Sequence, residues 1–257
     1  MKQSTKQNWE TFWQQKENVH EYYSNSDRVL RNLSRITDLK GKKVLEIGAG
    51  TGRDSLDLIR YGAIVYQLDY ATNALKLMKD VAEESKLEVH LIGGDAFQLP
   101  FNDGTFDIVF HQGLLEHFRE PKATELLKEN ARVVKKGGWL LVDVPQRYHV
   151  YTVMKHLLIA LNAWFAGWER EFSVGELEKK LMGLGLKPIY AYGDWMYPSL
   201  FYRMTREAFL KLGIRLPLRP QIFKPLTKLR HSIRESMLKL RISLYTSISI
   251  GVVAEKP

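Results

Sequence analysis

Apolar positions along the chain change their period several times, and each change marks an element. Between residues 7 and 39, Trp9, Phe12 and Trp13, then Val29, Leu30, Leu33 and Ile36, recur at helical spacing and predict two or three helices before any strand. Short apolar runs follow at 43–47, 63–69, 88–93, 106–111 and 139–144, with helical stretches between most of them. Two more come late, at 187–192 and 247–254, the last within the β-branched run SISIGVVAE. Strands alternating with helices predict an α/β fold whose sheet is covered on both faces.

Two additions interrupt this alternation. Between Leu157 and Trp168 only Asn162 is conspicuously polar, yet the run falls short of the roughly twenty residues of a membrane span and reads as a buried or interfacial helix. Ser173 and Glu176 form a capping-box pattern that starts the next helix, and Gly185 marks its end. Further on, Leu226, Leu229, Ile233, Met237 and Leu240 fall on one helical stripe, with Lys228, Arg230, Arg234, Lys239 and Arg241 on other faces. Such a helix either lies on an anionic membrane or presents a solvated charged face. The organisation expected is a helical lid (1–40), a Rossmann-like core (41–147), insertion helices with the sixth strand (148–195), a basic, partly amphipathic insertion (196–243) and the last core strand (244–257).

Charge sharpens this division. The chain of 257 residues carries a net charge of +9. Between 203 and 241 the basic residues are Arg203, Arg206, Lys211, Arg215, Arg219, Lys224, Lys228, Arg230, Arg234, Lys239 and Arg241, opposed only by Glu207 and Glu235. Eleven minus two is nine, so one segment holds the whole excess. An anionic membrane surface or nucleic acid is the partner it suggests. The absence of cysteine removes disulfides, thiolate metal sites and a cysteine nucleophile. The opening MKQSTKQNWE has no apolar core behind basic residues, which places the protein in the cytoplasm, or peripherally at the inner membrane face if the basic segment meets lipid.

The chemistry concentrates after strand ends, where such sheets bind ligands. VLEIGAGTG puts Gly48, Ala49, Gly50 and Gly52 behind an apolar run, with Glu46 two residues before the first glycine. A dinucleotide fingerprint needs its third glycine at position 53, which is Arg53, and a carboxylate beside a pyrophosphate costs electrostatic energy, whereas beside an ammonium it helps. A nucleoside joined to a charged amino acid satisfies both demands, and S-adenosylmethionine is that ligand. Asp69 ends the second run about twenty residues on, and Asp95 follows the third.

With Glu46, Gly48, Gly50 and Gly52, Asp69 and Asp95 in one register, the chain resembles the class I S-adenosylmethionine-dependent methyltransferases, in particular their type 11 small-molecule and lipid group, over roughly residues 42–144. The resemblance implies a seven-stranded, mostly parallel sheet with its last strand antiparallel, and methyl transfer to an oxygen or nitrogen of a small, hydrophobic or lipid-linked acceptor. It implies cofactor contacts from Glu46, Gly48, Ala49, Gly50, Gly52, Asp69, Tyr70, Asp95, Ala96, His111 and Gln112. His111, Glu116 and His117, in the loop after the fourth strand, are the residues expected to act on a proton. Similar coenzyme Q O-methyltransferases carry a Glu-x-x-Glu-His run here that helps hold a divalent ion; this chain has Gly113 at the first glutamate, and no metal is expected. Trp9, Trp13, Tyr22, Tyr23, Trp164 and Trp168 either line the acceptor pocket or pack as core. An RNA-directed enzyme using residues 203–241, and a non-catalytic relative that keeps the cofactor site, are the competing readings.

Overall fold

The computed structural model describes residues 5–14, 26–162, 164, 167–195, 197–218, 220 and 224–257. Helices α1 (Lys6–Gln14) and α2 (Ser26–Leu33) precede the first strand. The core then alternates β1 (Lys43–Ile47), α3 (Leu56–Arg60), β2 (Ile64–Asp69), α4 (Thr72–Ser85), β3 (His90–Gly93) and β4 (Phe106–Gln112). After a 3-10 turn (Leu115–His117) come α5 (Lys122–Val133), β5 (Val134–Pro145), α6 (Tyr151–Ala160), α7 (Val174–Met182) and β6 (Lys187–Asp194). Helices α8 (Leu200–Lys211), α9 (Lys224–Leu238) and α10 (Ser243–Thr246) lead to β7 (Ser249–Glu255).

The seven strands form one sheet in the order β3-β2-β1-β4-β5-β7-β6. β1 to β5 run parallel, and β7 is antiparallel to both of its neighbours, β5 and β6. Successive side chains on a strand point to opposite faces, so the apolar runs feed two cores. Leu45, Val109 and Val142 pack on one face with Leu126 of α5 and Leu177 of α7. Their sequence neighbours Val44, Ile108 and Leu141 pack on the other with Val29 and Leu33 of α2 and Leu58 of α3. Strand order reverses between β1 and β4, which opens a crevice at their carboxyl ends.

The expected elements recur with three differences. β5 begins at Val134 rather than 139 because Val134 already faces Phe106 of β4; the register then shifts past Lys135 to Gly138, and Ile108 faces Trp139. A Cβ on Gly138 would lie 2.8 Å from the Asp107 carbonyl oxygen, so glycine permits that shift. α7 starts as expected, with Ser173 accepting the Glu176 N–H at 3.3 Å, but ends at Met182, and Gly185 in left-handed conformation lies three residues beyond. α6 ends at Ala160, inside the apolar run 157–168, and is only partly buried: Lys155 and Ile159 face inward while Val153 and Leu157 stand in solvent. Among the described residues, no helix is long and apolar enough to cross a membrane.

Candidate active site

The loop after β1 is held by side chains that reach it from β2 and α3's entrance. Gln67 donates from Nε2 to the Gly52 carbonyl (2.6 Å) and to Ser55 Oγ (2.8 Å), and Ser55 donates to Glu46 Oε2 (2.5 Å). Gly50 and Gly52 are both left-handed, with φ of 55° and 68°. A Cβ on Gly52 would fall 2.4 Å from Gln67 Oε1, and one on Gly50 2.6 Å from the Trp13 indole, so each glycine is required twice over, by conformation and by close approach. Asp69 accepts the Gly50 N–H (3.0 Å) and the Ala71 N–H (2.9 Å), which ties the loop to the end of β2. Asp95, exposed at the rim, accepts the Phe97 N–H at 3.0 Å.

Beside this loop lies a cavity of about 670 Å³ with Glu46, Gly48, Ala49, Gly50, Asp69, Tyr70, Asp95, Ala96 and Gln112 in its wall. Helix α1 forms its cover: Trp9 and Trp13 pack against Ala49, Ala71, Ala74 and Met78 and also line the cavity. The cover is fastened by Glu10. Helix α4 has Ala71 at its N-cap and no side-chain cap of its own, so its first N–H groups lack a local acceptor. Glu10 supplies one, accepting from Thr72 N–H (2.7 Å) and Asn73 N–H (3.0 Å), and those bonds hold its carboxyl below the usual range.

A second cavity of about 400 Å³ adjoins the first, and Asp54, Gln112, Gly113, Glu116 and Glu169 line both. Its floor is charged but paired. Arg28 donates to Gln112 Oε1 (3.1 and 2.7 Å) and lies 3.3 Å from Asp143, which also accepts from the Tyr192 hydroxyl (2.8 Å). Burial pushes the Asp143 carboxyl up to about 6 against the pull of Arg28. Arg31 (2.9 Å) and Arg234 bracket Asp194. At the junction, Glu116 and Glu169 are buried. Glu169 sits 2.8 Å from Lys155 Nζ, accepts from Trp164 Nε1 (2.9 Å), and lies 3.9 Å from His117 Nδ1. Burial, then the neighbouring Glu169, holds the Glu116 carboxyl well above its ordinary value. Burial lowers the His117 imidazole, with Glu169 opposing, and Trp9 packs edge-on at 5.2 Å from its ring.

Glu116 and Gln112 therefore line both cavities, while His117 lines the first and lies beside Glu169. His111 is different. Alternation along β4 puts it on the Val109 face, its ring is fully buried, neither nitrogen has a hydrogen-bond partner, and it lines neither cavity. The structure thus gives no support for His111 as a proton-transfer or cofactor residue. Gly52 shapes the loop from behind and is not itself in the cavity wall. Trp164 lines the second cavity, whereas Trp168 lines neither and stacks under the Arg119 guanidinium at 4.4 Å. Tyr22, Tyr23, Phe165 and Arg219 lie outside the described residues, as do the side chains of Lys211 and Lys224. Sequence reading missed Glu10, Asp54, Gln67, Arg28, Lys155 and Glu169, whose partners are distant in the chain. Of these only Asp54 and Gln67 carried a local signal, by their closeness to the glycine loop and to Asp69.

Comparison with known proteins agrees with this fold. Residues 45–142 match a methyltransferase domain model. The ubiquinone biosynthesis O-methyltransferase of Coxiella burnetii is 31% identical over 128 residues, which cover 49% of this chain and 54% of that protein. The demethylmenaquinone methyltransferase of Corynebacterium glutamicum is 39% identical over 118 residues, 45% of this chain and 48% of that one. The chain thus spans about half the length of the curated relatives it matches. Among solved structures, the magnesium protoporphyrin IX methyltransferase of Synechocystis with bound SAH superposes with a TM-score of 0.56 at 20% identity, covering 67% of this chain and 77% of that one. Residues 45–142 are thus similar to a methyltransferase domain, and the seven-stranded sheet has the Rossmann-like fold of the solved methyltransferases.

Proposed function

We propose that the chain transfers a methyl group from S-adenosylmethionine to an oxygen or nitrogen of a small acceptor that has a polar reacting end and a hydrophobic or lipid-linked remainder. The observation that carries this reading is the meeting of two cavities at Gln112, Gly113 and Glu116, one behind the glycine loop and one beyond it. The residues present fit the cofactor. Glu46 is a buried carboxyl with no cation paired to it among the described residues, and burial holds it well above its ordinary value; an ammonium beside it would restore its charge. In this reading Asp69 accepts from the ribose hydroxyls and Asp95 from the adenine amino group. When bound, S-adenosylmethionine supplies an electrophilic methyl on a sulfonium.

The tasks left to the chain are alignment, exclusion of water and removal of the acceptor's proton. Glu116, whose carboxyl burial and Glu169 hold above its ordinary value, is in this reading a hydrogen-bond donor rather than the base. His117, kept neutral by burial, has an unpartnered Nδ1 and is the base; the Glu169 carboxylate beside it stabilises the imidazolium that forms. The names of the quinone-pathway relatives support an acceptor with a hydrophobic remainder. The paired arginines and acids of the second cavity support a polar reacting end. An RNA substrate is disfavoured because Arg203, Arg206 and Arg234 donate to the chain's own carbonyls and Arg230 to the Tyr197 hydroxyl.

Calorimetry with S-adenosylmethionine, then SAH release with short-chain prenylated phenols as acceptors, tests the proposal. His117→Gln should lower turnover by about 10²–10⁴-fold with cofactor Kd within about threefold. No cofactor binding by folded protein would overturn the whole reading; unchanged turnover would remove His117 alone.

A further inference from the structure

Three helices around the second cavity each send a basic side chain inward and turn large apolar residues to solvent. Lys155 from α6 is buried between Glu169 and Glu171, Arg203 from α8 lines the cavity, and Arg234 from α9 reaches Asp194. On α6 and its flanks Val150, Val153, Leu157 and Leu161 repeat at helical spacing and are 61–79% exposed. Phe201 of α8 is 80% exposed, while Arg206 of the same helix is buried. On α9 the Leu226, Leu229, Ile233 and Met237 stripe, at 40–56%, faces solvent too. A soluble surface helix does the opposite, and an apolar surface on this scale marks a contact with something else.

Charge decides what that something is. Arg215, Lys228, Lys239 and Arg241 are exposed among the apolar residues. Of the two acids in the same segment, Glu235 is drawn into pairs with Arg31 and Arg234, which leaves Glu207. Apolar residues interspersed with unopposed basic ones, on helices too short to span a bilayer, match the interface of an anionic membrane. We infer that α6, α8 and α9 together form a docking surface for an anionic lipid bilayer. This goes beyond methyl transfer and does not depend on it. Where both hold, the membrane meets the same helices that wall the acceptor cavity, so a lipid-anchored acceptor can offer its polar end without leaving the bilayer.

The test is co-sedimentation of the full chain with phosphatidylcholine vesicles with and without phosphatidylglycerol, at low and high salt. Binding should require phosphatidylglycerol and weaken with salt. Leu229→Glu with Ile233→Glu, and separately Leu157→Glu on α6, should each weaken partition by about tenfold or more, with melting temperature and cofactor Kd unchanged. No binding at low salt by protein that still binds the cofactor would overturn the inference. So would full binding by both variants, or a dimer in sedimentation equilibrium that these substitutions dissolve while vesicles are ignored.

Discussion

Replacing Glu10 by alanine should open the cover of the cofactor cavity. The carboxylate accepts two backbone N–H bonds, at 2.7 and 3.0 Å, from the first residues of α4, where the helix dipole also favours negative charge. Charge-assisted bonds contribute about 1.5–3 kcal/mol when buried, but Glu10 is solvent-accessible, so about 0.5–1 kcal/mol each is the fitting scale. Together they bias α1 toward its closed position by about 1–2 kcal/mol, or roughly 5–30-fold. Glu10→Ala should raise the SAH off-rate by that factor and speed amide exchange across residues 6–14; Glu10→Gln, which keeps an acceptor without the charge, should fall between. The carboxyl is held below its ordinary value, so its contribution is complete above about pH 4.5 and fades as the pH falls through the lowered value. Stopped-flow fluorescence of Trp9 and Trp13 reads the off-rate. An alanine variant within twofold of the parent in both measurements would refute the fastening role.

Two further outcomes follow from buried groups and close approaches. Burial lowers the His111 imidazole to about 3, so its neutral form supports the fold above about pH 6.5, and that support is lost as the pH falls toward 3, at up to about 1.4 kcal/mol per pH unit. Glu46 and Glu116, held high, act with the opposite sign, so the difference in urea-unfolding free energy between wild type and His111→Leu isolates the histidine: it should change with pH across that window, and a flat difference would sink the account. Gly50→Ala would set a Cβ 2.6 Å from Trp13 in a left-handed backbone, so it should displace the cover and weaken S-adenosylmethionine binding about tenfold or more in calorimetry; unchanged affinity would contradict the close approach.

What could be read from the chain alone was local. Glu46, the glycines, Asp69 and Asp95 announce themselves because each sits at the end of a short apolar run, and the run fixes which end of the sheet it occupies. The start of β5 was hidden by Lys135 and Lys136, which a shift of pairing accommodates but an apolar pattern cannot reveal. The direction of the His111 side chain is not legible from its place next to a ligand-binding loop; the alternation of β4 turns it into the core. Glu10, Lys155 and Glu169 were invisible for a different reason: their partners are brought together only by the fold, and Glu10 caps a helix 62 residues away. The apolar stripe of α9 was legible as a stripe, but the same spacing serves a buried face and an exposed one. Only the inward turn of Arg234 distinguishes them.

The raised proton affinity of the buried Glu46 carboxyl makes ligand capture a titration as well as an encounter. A cationic amino acid arriving beside it draws the group back toward ionisation, and the displaced proton leaves for the solvent. Heats of association should then vary with the buffer's own enthalpy of protonation, and the grip should tighten as the medium turns alkaline, until the side chain ionises without help.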